Sequence, residues 1–159
     1  MSPPPRSVLF VCSGNICRSP AAEAVLRAML PGGSAVRVDS AGIGSWHLGA
    51  RAHPRSIAEG ERRGYALVGR ARQLESGDLE RFDLIVGMDG GHVRELRRLH
   101  ALHRVAPAAG ITLFRDLDPA SETGLDLDDP YNLPASAYGQ MYDVIEPTCA
   151  ELAQALKKL

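Results

Sequence analysis

A cysteine and an arginine stand six positions apart near the start of the chain, in Cys12-Ser13-Gly14-Asn15-Ile16-Cys17-Arg18-Ser19. The thiolate form of a cysteine is the nucleophile, and a helix N-terminus with a nearby guanidinium stabilises it over the thiol. Ser19 is placed to donate a hydrogen bond to the same sulfur. Backbone N–H groups from Ser13 to Arg18 can converge on an anion. Gly14 and Asn15 are residue types that tolerate the positive φ a curled loop needs. Arg18 offers a planar fork for two oxygens at once. Together these suit a tetrahedral dianion such as phosphate, with a sulfur in line to attack it. Phosphoryl transfer asks mainly for positioning and for charge stabilisation on the equatorial oxygens. It also needs a proton for the leaving oxygen, and Asp128-Asp129-Pro130-Tyr131, in an acidic stretch far along the chain, can supply it.

The flanking elements must hold this set in place. Ser7–Val11 reads as a buried strand running straight into Cys12, and Ser19–Leu30 reads as a helix leaving Arg18. The spacing predicts further strands over Val36–Ser40, Phe82–Met88 and Gly110–Phe114, and further helices over Pro54–Gly64, Gly90–His103 and Ser136–Lys158. Ser76 is a candidate cap for a short helical turn, and Gly32-Gly33 and Gly64 mark helix ends. Nearly continuous apolar strands separated by helices imply a parallel sheet covered on both faces. Right-handed crossovers then favour a small doubly wound, flavodoxin-like three-layer α/β fold with four parallel strands. Such sheets bind ligands at the carboxyl ends of their strands, at a topological switch point, which is where Cys12 falls. The long irregular stretch from about Arg115 to Ala135 carries the acidic motif, as functional loops of that length do.

Composition sets the outer limits. The chain has 159 residues, 45% of them apolar, which fits one domain with a proper core. We expect a proline-rich disordered start over residues 1–6 and a single domain over 7–159. Net charge is −1, against broad nucleic-acid or membrane binding. The start has no apolar run of a signal peptide, and no stretch matches a membrane span, so a cytoplasmic protein is expected. Three cysteines do not build a disulfide framework. The five histidines are scattered; His100 and His103 lack a third ligand, so no metal and no cofactor are expected.

CSGNICRSP resembles the phosphate-binding loop of the low-molecular-weight protein tyrosine phosphatases, and DPY resembles their general-acid motif. DSAGIGSWHLG over Asp39–Gly49, ARQL over Ala71–Leu74 and FDLIVGMD over Phe82–Asp89 match in order and spacing. The resemblance implies that Cys12 attacks phosphorus to form a phosphocysteine and that Arg18 binds the phosphoryl oxygens. It makes Asp129, directly before Pro130, the general acid and then base. Ser19 would assist the departing thiolate, and Ser13, Gly14, Asn15, Ile16 and Cys17 would cradle the phosphoryl group. Asn15 and Ser40 would support the loop, and Trp46 and Tyr131 would wall a slot deep enough for a phenyl phosphate. It further implies a reversible Cys12–Cys17 disulfide that shields the nucleophile from over-oxidation. The partners implied are a tyrosine-phosphorylated protein with a cognate tyrosine kinase, phosphate- or vanadate-like oxyanions in the pocket, and a monomeric enzyme. Two departures stand out: Gly69 replaces a supporting histidine common in the family, and Asn132 stands where a second aromatic is frequent.

Three rivals share parts of this pattern. A protein arginine phosphatase uses the same loop, typically with threonine where this chain has Ile16, which leaves nothing to bond a guanidinium group. A thioredoxin-coupled arsenate reductase needs two more cysteines near positions 80–90, and GDLERFDLIVGMDG has none. A catalytically inactive phosphotyrosine-binding module would need neither the sulfur of Cys12 nor the acid of Asp129.

Overall fold

A computed structural model describes residues 5–103 and 110–157; the expectations for residues 1–4 and for Lys158 lie outside this range. In chain order the elements are β1 (Ser7–Cys12), α1 (Arg18–Met29), β2 (Arg37–Gly42), α2 (Pro54–Arg62), α3 (Asp78–Arg81), β3 (Leu84–Gly87), α4 (Gly90–Leu102), β4 (Gly110–Leu113), a 3₁₀ turn (Phe114–Leu117) and α5 (Ala135–Leu156). The four strands form one parallel sheet in the order β2-β1-β3-β4.

Alternation along β1 divides the core. Val8 and Phe10 face a cluster built with α1 and α5, including Val25, Tyr138, Tyr142 and Ile145. Leu9 and Val11 face a second cluster with Leu79 of α3 and Leu96 of α4. All four are fully buried, as a strand covered on both faces requires. Truncating Phe10 to alanine would cost about 3–5 kcal/mol. This is the expected doubly wound fold. The chain leaves β1 in one direction to β2 and later returns on the other side to β3. The switch point therefore lies at the carboxyl end of β1, beside Cys12. Among the described residues no helix is long and apolar enough to cross a membrane.

Three local expectations are corrected. Gly32-Gly33 do not end α1: it stops at Met29 because Leu30, preceding Pro31, is forced into extended backbone with ψ 147°. Gly33, at φ 80°, serves the turn that follows. Ser76 does not cap α3. The N-cap is Gly77, without a side-chain cap, and Asp78 accepts the Glu75 N–H instead. The long irregular stretch begins with the 3₁₀ turn over Phe114–Leu117, which buries Phe114. It is then pinned to the sheet by the Leu127 N–H donating to the Met88 carbonyl, 2.9 Å.

Candidate active site

Between β1 and α1 the backbone turns its carbonyls outward. Those of Cys12, Ser13 and Ile16 accept the N–H groups of Ile43, Gly44 and His53. That of Cys17 accepts the Ser56 hydroxyl. Among the described residues no protein acceptor takes the N–H groups of residues 13–17, and the first turn of α1 has no side-chain cap. A ring of unspent donors thus faces one space, the arrangement that binds anions. Asn15 adopts φ 60°, as the curl requires. Gly14 does not take a positive φ; a Cβ there would lie 2.8 Å from His47 Cδ2, so close approach explains the glycine. Gly42, opposite Cys12 on β2, is a requirement the sequence reading missed. A Cβ there would meet the Ser13 carbonyl oxygen at 2.9 Å.

Behind the loop the hydrogen bonds have a direction. The Ser40 hydroxyl donates to Glu23 Oε1 at 2.6 Å. Asn15 Nδ2 donates to Ser40 Oγ at 2.9 Å and to Ser19 Oγ at 2.8 Å, while Asn15 Oδ1 accepts the Arg72 N–H at 3.0 Å. Ser19 Oγ lies 2.9 Å from Cys12 Sγ. Asn15, Ser19 and Ser40 are all buried. Burial raises the Glu23 carboxyl, with the Ser40 hydrogen bond and Arg27 opposing. Gly69, at φ 95°, contributes nothing to this network. Ser40, Glu23 and the Arg72 backbone carry the support instead. Arg72 is in turn clamped by the fully buried carboxylate of Asp78, at 3.0 and 3.1 Å.

Arg18 is 3% exposed and held from below. Its Nη1 donates to Asp89 Oδ2 and to the Leu127 carbonyl, both at 2.9 Å. Burial works to raise the Asp89 carboxyl. The His92 backbone N–H and the hydrogen bond and charge of Arg18 outweigh it and hold Asp89 below its ordinary value. Arg18 Nη2 stands 3.6 Å from Asp129 Oδ2. Asp129 is oriented locally: its Oδ1 accepts the Tyr131 N–H at 3.1 Å, which leaves Oδ2 toward Arg18. Asp129 borders the same cavity as Cys12 and Arg18, whereas Asp128 borders only a neighbouring depression that Asp129 also lines.

That cavity holds about 350 Å³. Cys12, at 3% exposed, and Cys17 lie at its floor with Ile16 beside them, and Ser13 and Gly14 line it. Burial pushes the Cys17 thiol up to about 12, against the hydrogen bond it shares with Tyr138 Oη at 3.5 Å. Trp46 and Tyr131 border the mouth. Trp46 is 72% exposed and no part of the core. Tyr131 lies between two histidines absent from the expected site. The ring of His47 is 5.9 Å away and that of His53 meets it edge-on at 5.9 Å. His53 also stacks on Tyr138 at 5.2 Å. Asn132 takes φ 67° in the turn closed by the Leu133 N–H on the Pro130 carbonyl. An aromatic side chain would be strained there. Asn15 does not line the cavity; its side chain is spent on Ser19, Ser40 and the Arg72 N–H behind the loop.

Comparison with known proteins agrees with this geometry. The sequence profile of the low molecular weight phosphotyrosine protein phosphatases matches residues 7–159. The low molecular weight protein-tyrosine-phosphatase of Streptomyces coelicolor is 43% identical over 155 residues, spanning 95% of this chain and 93% of the relative. The crystal structure of a protein tyrosine phosphatase from Entamoeba histolytica, 33% identical, superposes with a TM-score of 0.83 over 96% of this chain and 97% of that one. That of the Drosophila arginine phosphatase, 30% identical, gives 0.85 over 92% and 95%.

Proposed function

This chain belongs to the low molecular weight phosphotyrosine protein phosphatase family, and we propose that it hydrolyses phosphotyrosine on proteins in two displacements at Cys12. The Cys12 thiolate attacks phosphorus while Arg18 and the loop N–H groups hold the equatorial oxygens. The P–O bond to tyrosine breaks, and the Asp129 carboxylic acid delivers its proton to the leaving oxygen. A water molecule then attacks the phosphocysteine. The Asp129 carboxylate takes its proton, the P–S bond breaks, and the Ser19 hydroxyl stabilises the returning thiolate.

The observation that supports this most is the convergence of Cys12, Arg18 and Asp129 on one cavity whose mouth is bordered by Trp46 and Tyr131. In this reading a phenyl ring is held between those two aromatic side chains, which favours phosphotyrosine over the shorter, ringless phosphoserine. The likeness to the Drosophila arginine phosphatase favours a second reading, dephosphorylation of arginine. Ile16, an apolar wall of the cavity, offers no bond to a guanidinium and weighs against it. The substrate is then a tyrosine-phosphorylated protein supplied by a cognate tyrosine kinase. All the reacting groups come from one chain, in keeping with a monomer. Three unpaired thiols fit a reducing cytoplasm. Cys12 and Cys17 border the same cavity, which supports a reversible protective disulfide under peroxide.

The experiment is acid-quench trapping with a phosphotyrosine peptide, followed by mass spectrometry of the Cys12 peptide. The expected result is a phosphoryl adduct on Cys12 that Cys12→Ser lacks. Turnover without any adduct would exclude the covalent path.

A further inference from the structure

The side chain of Ser13 makes contacts that the two-step chemistry does not use. Its Oγ lies 2.9 Å from His92 Nε2 and 3.5 Å from Arg18 Nη2. The roles in the first contact follow from the other end of the imidazole. His92 is the third residue of α4, and its Nδ1 lies 3.1 Å from the Asp89 N–H, which can only donate. The bond is half of a reciprocal cap, in which Asp89 Oδ1 accepts the His92 N–H at 3.0 Å. Nδ1 is therefore the acceptor, and the neutral ring carries its proton on Nε2. Burial keeps the ring neutral by pushing His92 down to about 4. Nε2–H then donates to Ser13 Oγ, and Arg18 Nη2–H approaches the same oxygen.

Both lone pairs of the Ser13 hydroxyl thus face N–H donors. Among the described residues its proton has no protein acceptor, and the residue lines the cavity above Cys12. We propose that Ser13 donates its hydroxyl hydrogen bond to the phosphoryl group in the loop, and that His92, held as the Nε2–H tautomer by the Asp89 backbone, is the positioning residue that aims it. The inference rests on the phosphatase reading of this cavity. It adds a side-chain donor to the backbone ring, pre-set before substrate arrives, at no cost in reorganisation. It also accounts for a histidine at a cap position that a glutamate would fill as well: only a group with an acceptor on one side and a donor on the other leaves the serine proton free.

The test is orthovanadate affinity, read from the emission of Trp46, the single tryptophan, at the cavity mouth. Native protein, Ser13→Ala, Ser13→Thr, His92→Leu and the Ser13→Ala/His92→Leu double variant are compared. Ser13→Ala should weaken vanadate roughly 10-fold or more, as expected for a lost hydrogen bond to a charged group. Ser13→Thr should stay within about threefold, since its hydroxyl remains. His92→Leu should weaken binding in the native background and add nothing in the Ser13→Ala background, because its effect runs through that hydroxyl. Native affinity in Ser13→Ala overturns the proposal. So does an equal His92→Leu loss in both backgrounds, which would make His92 a helix cap only. If His92→Leu does not fold, Ser13→Ala against Ser13→Thr still decides. Native protein inert toward phosphotyrosine peptides would sink the phosphatase reading, while vanadate binding would still report on Ser13.

Discussion

Ser19 Oγ sits 2.9 Å from Cys12 Sγ, and Asn15 sets the direction of that bond. Asn15 Nδ2 donates to Ser19 Oγ, so the serine proton is free to point at the sulfur. A hydrogen bond to a charged partner is worth about 1.5–3 kcal/mol. Ser19→Ala should therefore slow release of the thiolate from phosphocysteine by roughly 10- to 100-fold. Rapid-quench samples should show the phosphoenzyme accumulating, and Ser19→Thr should not. A variant that loses turnover without accumulating phosphoenzyme would place the role of Ser19 elsewhere.

The two adjacent carboxylates of the acidic loop should separate cleanly. Asp129 faces Arg18 in the cavity of Cys12, and Asp128 does not border that cavity. Asp129→Asn should lower turnover of a phosphotyrosine peptide by about 10²–10⁴. The loss should be far smaller for an aryl phosphate whose leaving oxygen needs no proton. Asp128→Asn should stay within about twofold of native, as a surface change away from the chemistry. Steady-state rates on the two substrates check this; equal losses for both would argue that Asp129 only holds Arg18.

Loop support can be tested far from the sulfur. Asp78 is fully buried, and its carboxylate receives Arg72, Arg81 and the Glu75 N–H. Removing one partner of a buried pair costs about 3–5 kcal/mol. Arg72 and Arg81 can partly reach water, so Asp78→Ala should cost about 2–3 kcal/mol in urea unfolding. Because the Arg72 N–H holds Asn15, the KM should rise as well. A stability loss with unchanged KM would show that the loop stands without this clamp.

His92 carries a pH signature. Its ordinary value is 6.5, and burial first of all takes it to about 4 in the fold; Arg18 adds to this, while Asp89, Asp129 and Asp126 oppose it. As pH falls below 6.5 the unfolded chain takes up a proton that the folded protein refuses. Stability present above pH 6.5 is therefore lost progressively toward pH 4, on the order of 3 kcal/mol for this one group. Urea unfolding across that range should show a slope that His92→Gln flattens. Parallel slopes for the two proteins would assign the acid sensitivity to other residues.

What was legible in the sequence follows a physical line. The central strands β1 and β3 showed as apolar runs because both faces of the sheet are covered there, as at Val8–Val11. The phosphate loop and DPY were legible because their residue types are rare in combination. What depended on tertiary approach was not. Gly42 reads as an ordinary glycine until the Ser13 carbonyl is seen against it. His47, His53 and His92 are scattered in sequence, and only the fold sets His47 in the cavity wall, His53 against Tyr131 and His92 of α4 against Ser13. Leu127 gives no polar signal, because its backbone carbonyl is what holds Arg18. Ser76 looked like a cap, yet the Asp78 carboxylate takes the Glu75 N–H at that turn.

The most direct test of the central claim is phosphate release from two matched peptides, one carrying phosphotyrosine and one phosphoarginine, with native protein and Cys12→Ser. Release from phosphotyrosine alone, abolished by Cys12→Ser, is the predicted result. Preference for phosphoarginine would contradict the reading of Ile16, and release that survives Cys12→Ser would contradict catalysis by the cysteine.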